Sequence, residues 1–186
     1  MNTAKQEARL LQTRSLVIVG IAIAAAAVRL IPHPMNFAPV GALALFGGAY
    51  FASKRAAIIV PLLVLIASDA LIGFHSLMLW VYASFLVSVA IGFALRKKRG
   101  VARVGAATVA GSIQFFLVTN FAVWLHSVGT YPKTGSGLAA CYVAGIPLFW
   151  NTLASDLFYS AILFGGMALA GRYFPAMRET EAVAAK

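Results

Sequence analysis

The sequence predicts an all-α fold, a polytopic membrane helix bundle, on three observations. Apolar residues fill 61% of the 186 positions and charged residues only 11%, where a water-soluble domain carries about 25% charged residues. The apolar positions gather into runs close to the length of a bilayer crossing. The few charges are lopsided, 15 Lys and Arg against 5 Asp and Glu. In a soluble chain that basic excess would suggest nucleic acid, but so apolar a chain lacks the polar surface of a groove-reading domain. Basic residues holding the cytoplasmic ends of apolar spans account for the charge and for a mean hydropathy of +0.87 together. A single cysteine, Cys141, makes no internal disulfide. The chain holds no G-x-x-x-x-G-K-[ST] phosphate loop and does not hydrolyse ATP through one.

Residues 1–15 are polar, carry Lys5, Arg9 and Arg14, and read as a cytoplasmic N-terminal segment. The first apolar run, 16–31, is broken only by Arg29. Its small residues Ala24 to Ala27 resemble a signal-peptide cleavage region. A second apolar stretch follows in place of a polar mature domain, so the run reads as an uncleaved anchor. Further spans are expected at 37–53, 56–74, 77–95, 104–126 and 152–171. They are separated by Pro32-His33-Pro34, Lys54-Arg55, His75-Ser76, the basic run Arg96 to Arg99 with Arg103, and the polar stretch 127–137. Short loops rich in Lys and Arg stay in the cytoplasm. The N-terminus, Lys54-Arg55 and the 96–103 cluster then face inward, and the loops at His33, His75 and 127–137 face outward with Lys133 as their one formal positive charge.

The segment 138–171 would be near 50 Å as one helix at about 1.5 Å per residue, too long for a core of about 30 Å. Pro147 and the polar pair Asn151-Thr152 are expected to break it. One reading makes 138–150 a short interfacial or re-entrant helix on the outer side, ahead of a sixth span. The other makes it a seventh span and places Arg172 and Arg178 outside. Six spans keep the positive-inside rule, giving a single transmembrane domain over 16–171 and a cytoplasmic tail over 172–186. Two tripeptides recur, Asn36-Phe37-Ala38 with Asn120-Phe121-Ala122 and Ala67-Ser68-Asp69 with Ala154-Ser155-Asp156. An inverted duplication would send such copies to opposite faces, whereas this topology puts all of them near the outer side.

Two acids, Asp69 and Asp156, fall inside apolar runs. A charge at the centre of a span costs about 2.5 to 3.5 kcal/mol on insertion scales, so each needs a compensating role, and at their expected depths both could border one outward cavity. For Asp156 the alternative is first-turn capping after Asn151-Thr152. For Asp69 it is a buried ion pair with Arg29. Arg29 either snorkels to outer headgroups or holds an acid or an anionic ligand group with its planar fork. His33, His75, His126 and Cys141 are metal-competent side chains, but no H-x-x-x-H or C-x-x-C spacing joins them, so no metal or cofactor is expected. Trp80, Trp124, Tyr131, Tyr142 and Trp150 fit an interface belt. Gln114, Thr119 and Asn120 offer hydrogen bonds across helices or to a bound molecule. In the first span Gly20, Ala24 and Ala22, Ala26 form small-residue pairs that allow close helix approach.

The stretches Arg29-Leu-Ile-Pro-His-Pro-Met-Asn-Phe-Ala-Pro-Val, Ile66-Ala-Ser-Asp-Ala-Leu-Ile-Gly-Phe-His and Phe115-Phe-Leu-Val-Thr-Asn-Phe-Ala-Val-Trp, followed by Tyr131-Pro-Lys, Cys141-Tyr, Pro147 and Asp156, carry a resemblance. In that order, over about 16–171, they resemble an uncharacterised family of small bacterial inner-membrane proteins labelled as transport proteins. The size and six-span plan are also similar to the S components of energy-coupling-factor vitamin transporters, a likeness of architecture. That likeness implies a separate ATPase and coupling-subunit partner, with Ala22 and Ala26 as an A-x-x-x-A contact to it.

The expected function is therefore a multi-pass inner-membrane protein, in contact with the lipid bilayer and not with nucleic acid, that binds a small vitamin-like nutrient for uptake. Its pocket is expected to be bordered by Arg29, Asn36, Asp69, Asn120 and Asp156. A second reading is an intramembrane enzyme using Asp69 and Asp156 as an acid/base pair. A third is a non-catalytic membrane assembly protein.

Overall fold

The computed structural model of the chain describes residues 2–174, with side chains from Gln12 onward other than Arg14. The side chains of Lys5, Arg9 and Arg14, and the tail with Arg178, Glu179 and Glu181, lie outside the described residues. Within them the chain is all-helical: α1 (Asn2–Leu30), α2 (Val40–Tyr50), α3 (Lys54–Ile72), α4 (Met78–Ala94), α5 (Val101–His126) and α6 (Gly135–Tyr173). Ser53 starts α3 by accepting the Ala56 amide, and Thr134 starts α6 by accepting that of Gly137. The helices run back and forth between two ends. Arg29 meets Asp69, and Trp80 donates to His126, at one end. Arg96 and Arg99 reach the last turn of α2 at the other.

Three helices, α3, α5 and α6, are long and apolar enough to cross a membrane; α2, α4 and the apolar part of α1 (Ser15–Leu30) are shorter. Polarity is turned outward in: large apolar side chains such as Ile59, Leu63, Leu117, Phe158 and Ile162 are exposed, while Ser84, Ser88, Thr108, Ser112, Ser155 and Ser160 are buried. That pattern suits lipid, which neither rewards nor penalises an outward Leu. Several of the buried hydroxyls back-bond within their helices, as Ser84 does to the Trp80 carbonyl and Ser88 to that of Ser84. Gln114 ties α5 to α4 by donating to the Ser84 carbonyl and the Ser88 hydroxyl.

The second expected span is the first correction. Only Val40–Tyr50 of 37–53 is helical, 11 residues or about 16 Å, half a bilayer core. Pro32, Pro34 and Pro39 keep 31–39 out of helix, since each removes an N–H and biases the residue before it toward extended backbone. Yet α2 is the centre of the molecule. It touches all five other helices, and every one of its residues except Gly41 is buried.

The separate short helix expected over 138–150 is the second correction: α6 runs unbroken through Pro147, Asn151 and Thr152. Proline removes one intrahelical bond without ending a helix whose neighbours hold both sides of it. Here Tyr142 donates to the Leu117 carbonyl of α5 on one side, and Asn151 to the Met35 carbonyl on the other. Of the two α1 residues expected to contact a partner, Ala26 is half-buried. Ala22 is buried, with Ala25, against Leu43, Val60 and Val64, whereas Gly20 and Ala24 point outward.

A close helix crossing lies between α2 and α4. A Cβ on Gly48 would run into the Val89 carbonyl, and one on Gly92 into the Leu45 carbonyl. Two backbones therefore touch where no side chain fits, as small residues allow. Beside this crossing Phe46, Tyr50 and Phe164 form a ring cluster with centroids 4.6, 5.4 and 5.6 Å apart. We expect Gly48→Ala and Gly92→Ala each to destabilise the bundle by about 1–3 kcal/mol through overpacking. Gly105→Ala, with nothing within 4 Å of the added methyl, should not destabilise it; thermal unfolding in detergent compares the three.

Candidate functional site

A cavity of about 290 Å³ lies toward the end of the bundle that carries 31–39 and the α3–α4 turn. Its wall is built from one stripe on each of three helices: Val81, Phe85 and Ser88 on α4, Gly111 and Phe115 on α5, Thr152 and Asp156 on α6. Residues spaced by three or four share a helix face, and the seven steps from Val81 to Ser88 cover about 10 Å. Helices α4 and α6 run away from the open end and α5 runs toward it. Ser88, Gly111 and Asp156 thus form the deep level, and Val81, Phe115 and Thr152 the shallower one. The rings of Phe85 and Phe115 lie 5.3 Å apart on one side. Arg29, His33, Asn36 and His75 complete the rim. Gly111 leaves room at the floor, where an added methyl would sit at an ordinary 3.7 Å from the Ser88 hydroxyl.

The remaining side of the cavity is the broken stretch between α1 and α2, and α6 holds it in place. Asn151 donates to the Met35 carbonyl at 3.0 Å and Ser155 to that of Ala38 at 2.9 Å. The Phe37 ring sits on Phe158 and Tyr159. Between these anchors Asn36 adopts φ 61, a left-handed backbone that asparagine tolerates better than most residues. The N-terminus of α2 follows. Pro39 gives it no side-chain cap, and Asp156 supplies the acceptor from α6. Its carboxylate takes the Ala42 amide and, at 2.7 Å, the Ser112 hydroxyl. A Cβ on Gly41 would collide with that carboxylate, so glycine is the residue that lets an acid reach the helix end.

The other end of α2 is capped with the opposite sign. Arg96 donates to the carbonyls of Gly48 and Phe51, and Arg99 to that of Ala49 while lying over the Tyr50 ring. Burial, and then the neighbouring Arg99 charge, pull the Arg96 guanidinium below its ordinary pKa, but an arginine stays charged at physiological pH. A carboxylate at the N-terminus and guanidinium groups at the C-terminus both complement the helix dipole.

Of the five residues expected around the pocket, Arg29, Asn36 and Asp156 line the cavity. Asp69 lies one residue behind it. It is 1% exposed, pairs with Arg29 at 2.6 Å and accepts the Tyr82 hydroxyl at 2.6 Å. Arg29 also donates to Ser68 at 2.5 Å. Asn120 is elsewhere: its amide donates to the Phe116 carbonyl, and its side chain fills the space a Cβ on Gly145 would need, making it a contact between α5 and α6. Cys141 is buried there too, donating to the Asn120 carbonyl. His126 accepts from Trp80, away from the cavity. Among the described residues no three of His, Cys, Asp and Glu converge.

Sequence reasoning missed Ser88, Gly111, Phe115 and Thr152 as lining residues, and weighed His33 and His75 as metal-competent side chains without placing them at the pocket. The density of proline over 32–39 was a usable signal that the helix is broken there. The polar Asn151 and Ser155 were signals of what satisfies the break. A Ser155→Ala change leaves the Ala38 carbonyl without its partner, and we expect it to cost about 1–3 kcal/mol. Ser76→Ala, on an exposed turn, should stay within about 0.5 kcal/mol; the two unfolding midpoints in one detergent check the contrast.

No curated protein and no solved structure matches the chain. A family model does match, over residues 9–177. That match takes in all six helices apart from the start of α1, and by it the chain belongs to DUF6580, a family of unknown function.

Proposed function

We propose that this protein is a multi-pass inner-membrane protein that binds a small vitamin-like solute in the cavity beside α2, on the way to its uptake. Its N-terminus and basic turns face the cytoplasm and its cavity faces outward. Energy comes from a separate partner. The observation that carries the reading is the broken second crossing. Residues 31–39 enter the 11-residue α2 as irregular backbone, with a turn that the Phe37 amide closes on the Pro34 carbonyl, and α2 itself adds only about 16 Å of helix. Irregular backbone at membrane depth is tolerated only where it is buried in protein or lines a cavity, and discontinuous helices mark the binding sites of many transporters. Here the break and the cavity coincide at Asn36, Ala38, Val40 and Gly41.

On this reading the six crossings are α1, the broken segment with α2, α3, α4, α5 and α6. The inward ends then carry Lys54, Arg55 and the 96–103 cluster, in keeping with the positive-inside rule. An acid/base pair of Asp69 and Asp156 is less well supported, because Asp69 spends its carboxylate on Arg29 and Tyr82 and lies outside the cavity lining.

The test is native mass spectrometry of the protein extracted in mild detergent. We expect one small molecule per chain, released unchanged on denaturation. Gly111→Leu, which grows a side chain into the floor of the cavity, should abolish that adduct while leaving the unfolding midpoint within a few degrees. A wild-type protein that never carries a solute, or a blocked variant that still does, overturns the reading.

A further inference from the structure

The cavity has opposite chemistry at its two ends. At the floor Asp156 is 6% exposed and accepts from the Ser112 hydroxyl and the Ala42 amide. An ionised carboxylate offers about four acceptor sites, so lone pairs remain on a group that lines the cavity. The neighbouring Ser88 hydroxyl already receives the Gln114 amide and donates to the Ser84 carbonyl. Among the described residues no cationic side chain lines that deep level. The end of α2 contributes only about half a positive charge, which leaves the floor negative.

At the rim the balance is reversed. Arg29 uses one terminal nitrogen on both Asp69 and Ser68. A guanidinium carries five N–H donors in a fixed fork, so others are left toward the cavity that Arg29 lines. The Leu77 amide donates to Nδ1 of His75, which puts the proton of the neutral ring on Nε2, a further rim donor. Asn36 adds an amide. Between rim and floor the walls are Val81, Phe85, Phe115 and Thr152, whose hydroxyl proton is already given to the Leu148 carbonyl, a mostly apolar surface with little for the hydroxyls of a sugar or a polyol.

Resting on the proposed solute-binding role, we infer that the ligand is a small amphoteric molecule. A protonated amine or ring N–H at one end docks on Asp156, a carboxylate or similar acceptor at the other docks on Arg29 and His75, and a flat apolar body between them lies along Phe85 and Phe115. Two separated ends are required, because the two poles of the site lie at different depths.

Three probes on one para-substituted ring test this: para-aminomethylbenzoate, which has both ends, para-methylbenzylamine, which has only the amine, and para-methylbenzoate, which has only the acid. Thermal-shift titration of the wild-type protein in detergent needs no variant to fold. The amphoteric probe should bind about tenfold tighter than either single-ended one. Asp156→Asn, which can still accept the Ala42 amide, should erase its advantage over para-methylbenzoate, and Arg29→Lys its advantage over para-methylbenzylamine. Equal binding of a single-ended probe, or no shift with any of the three, overturns the inference. A co-purified solute that is not amphoteric overturns it too and leaves the binding role standing. The absence of any co-purified solute, or a solute that survives Gly111→Leu, removes that role as well.

Discussion

An 11-residue helix that begins and ends inside the bundle is the constraint on which the rest of the structure depends. Each end of a helix leaves backbone groups without intrahelical partners, and in an apolar interior no water takes their place. The chain answers with charged and polar side chains from two other helices. Asp156 of α6 takes the amide end, and Arg96 and Arg99, just past α4, take the carbonyl end. The same accounting extends to 31–39, where Asn151 and Ser155 satisfy carbonyls that a continuous helix would have satisfied itself.

That solution determines the packing around it. An acid at the first turn of α2 needs Gly41, and a helix buried on all sides needs at least one neighbour at backbone distance, which Gly48 and Gly92 allow. Contacts flank Pro147 on both sides, Tyr142 with the Leu117 carbonyl and Asn151 with that of Met35, in an α6 that stays helical through it. The cavity is the space left where a half-length helix fails to fill a full-length slot. Its lining therefore includes Asp156, a group that also caps the break. The Arg29–Asp69 pair plays a similar double part, closing α1 against α3 while presenting a guanidinium to the cavity.

Much of the candidate site was legible in the chain. Charges embedded in apolar runs are costly enough to single out, and Arg29, Asp69 and Asp156 do sit together at one end, two in the cavity wall and one directly behind it. Asn36 was also within reach through its place between prolines. What the chain concealed was the partner of each acid. Asp156 looks like a cap for its own helix because Asn151 and Thr152 precede it, whereas it caps a helix more than a hundred positions earlier. Asn120, in a tripeptide that echoes Asn36, serves only the α5–α6 contact. Gly111, Ser88 and Thr152 carry no local signal, since a small residue facing a cavity and one facing a neighbouring helix read alike.

Composition and periodicity by themselves determined the all-helical class, the starts and stops of α3, α4 and α5 to within three residues, and the polar–apolar division of the chain. These follow from local chemistry: apolar runs of a given length, basic or proline punctuation, and backbone groups that must bond within their own segment. Only the tertiary structure decided that α2 is half a helix, that α6 passes through its proline, and that Arg96 and Arg99 cap a buried carbonyl end. Each of those outcomes turns on whether a broken backbone finds donors and acceptors on a distant helix, and that depends on which faces meet in space.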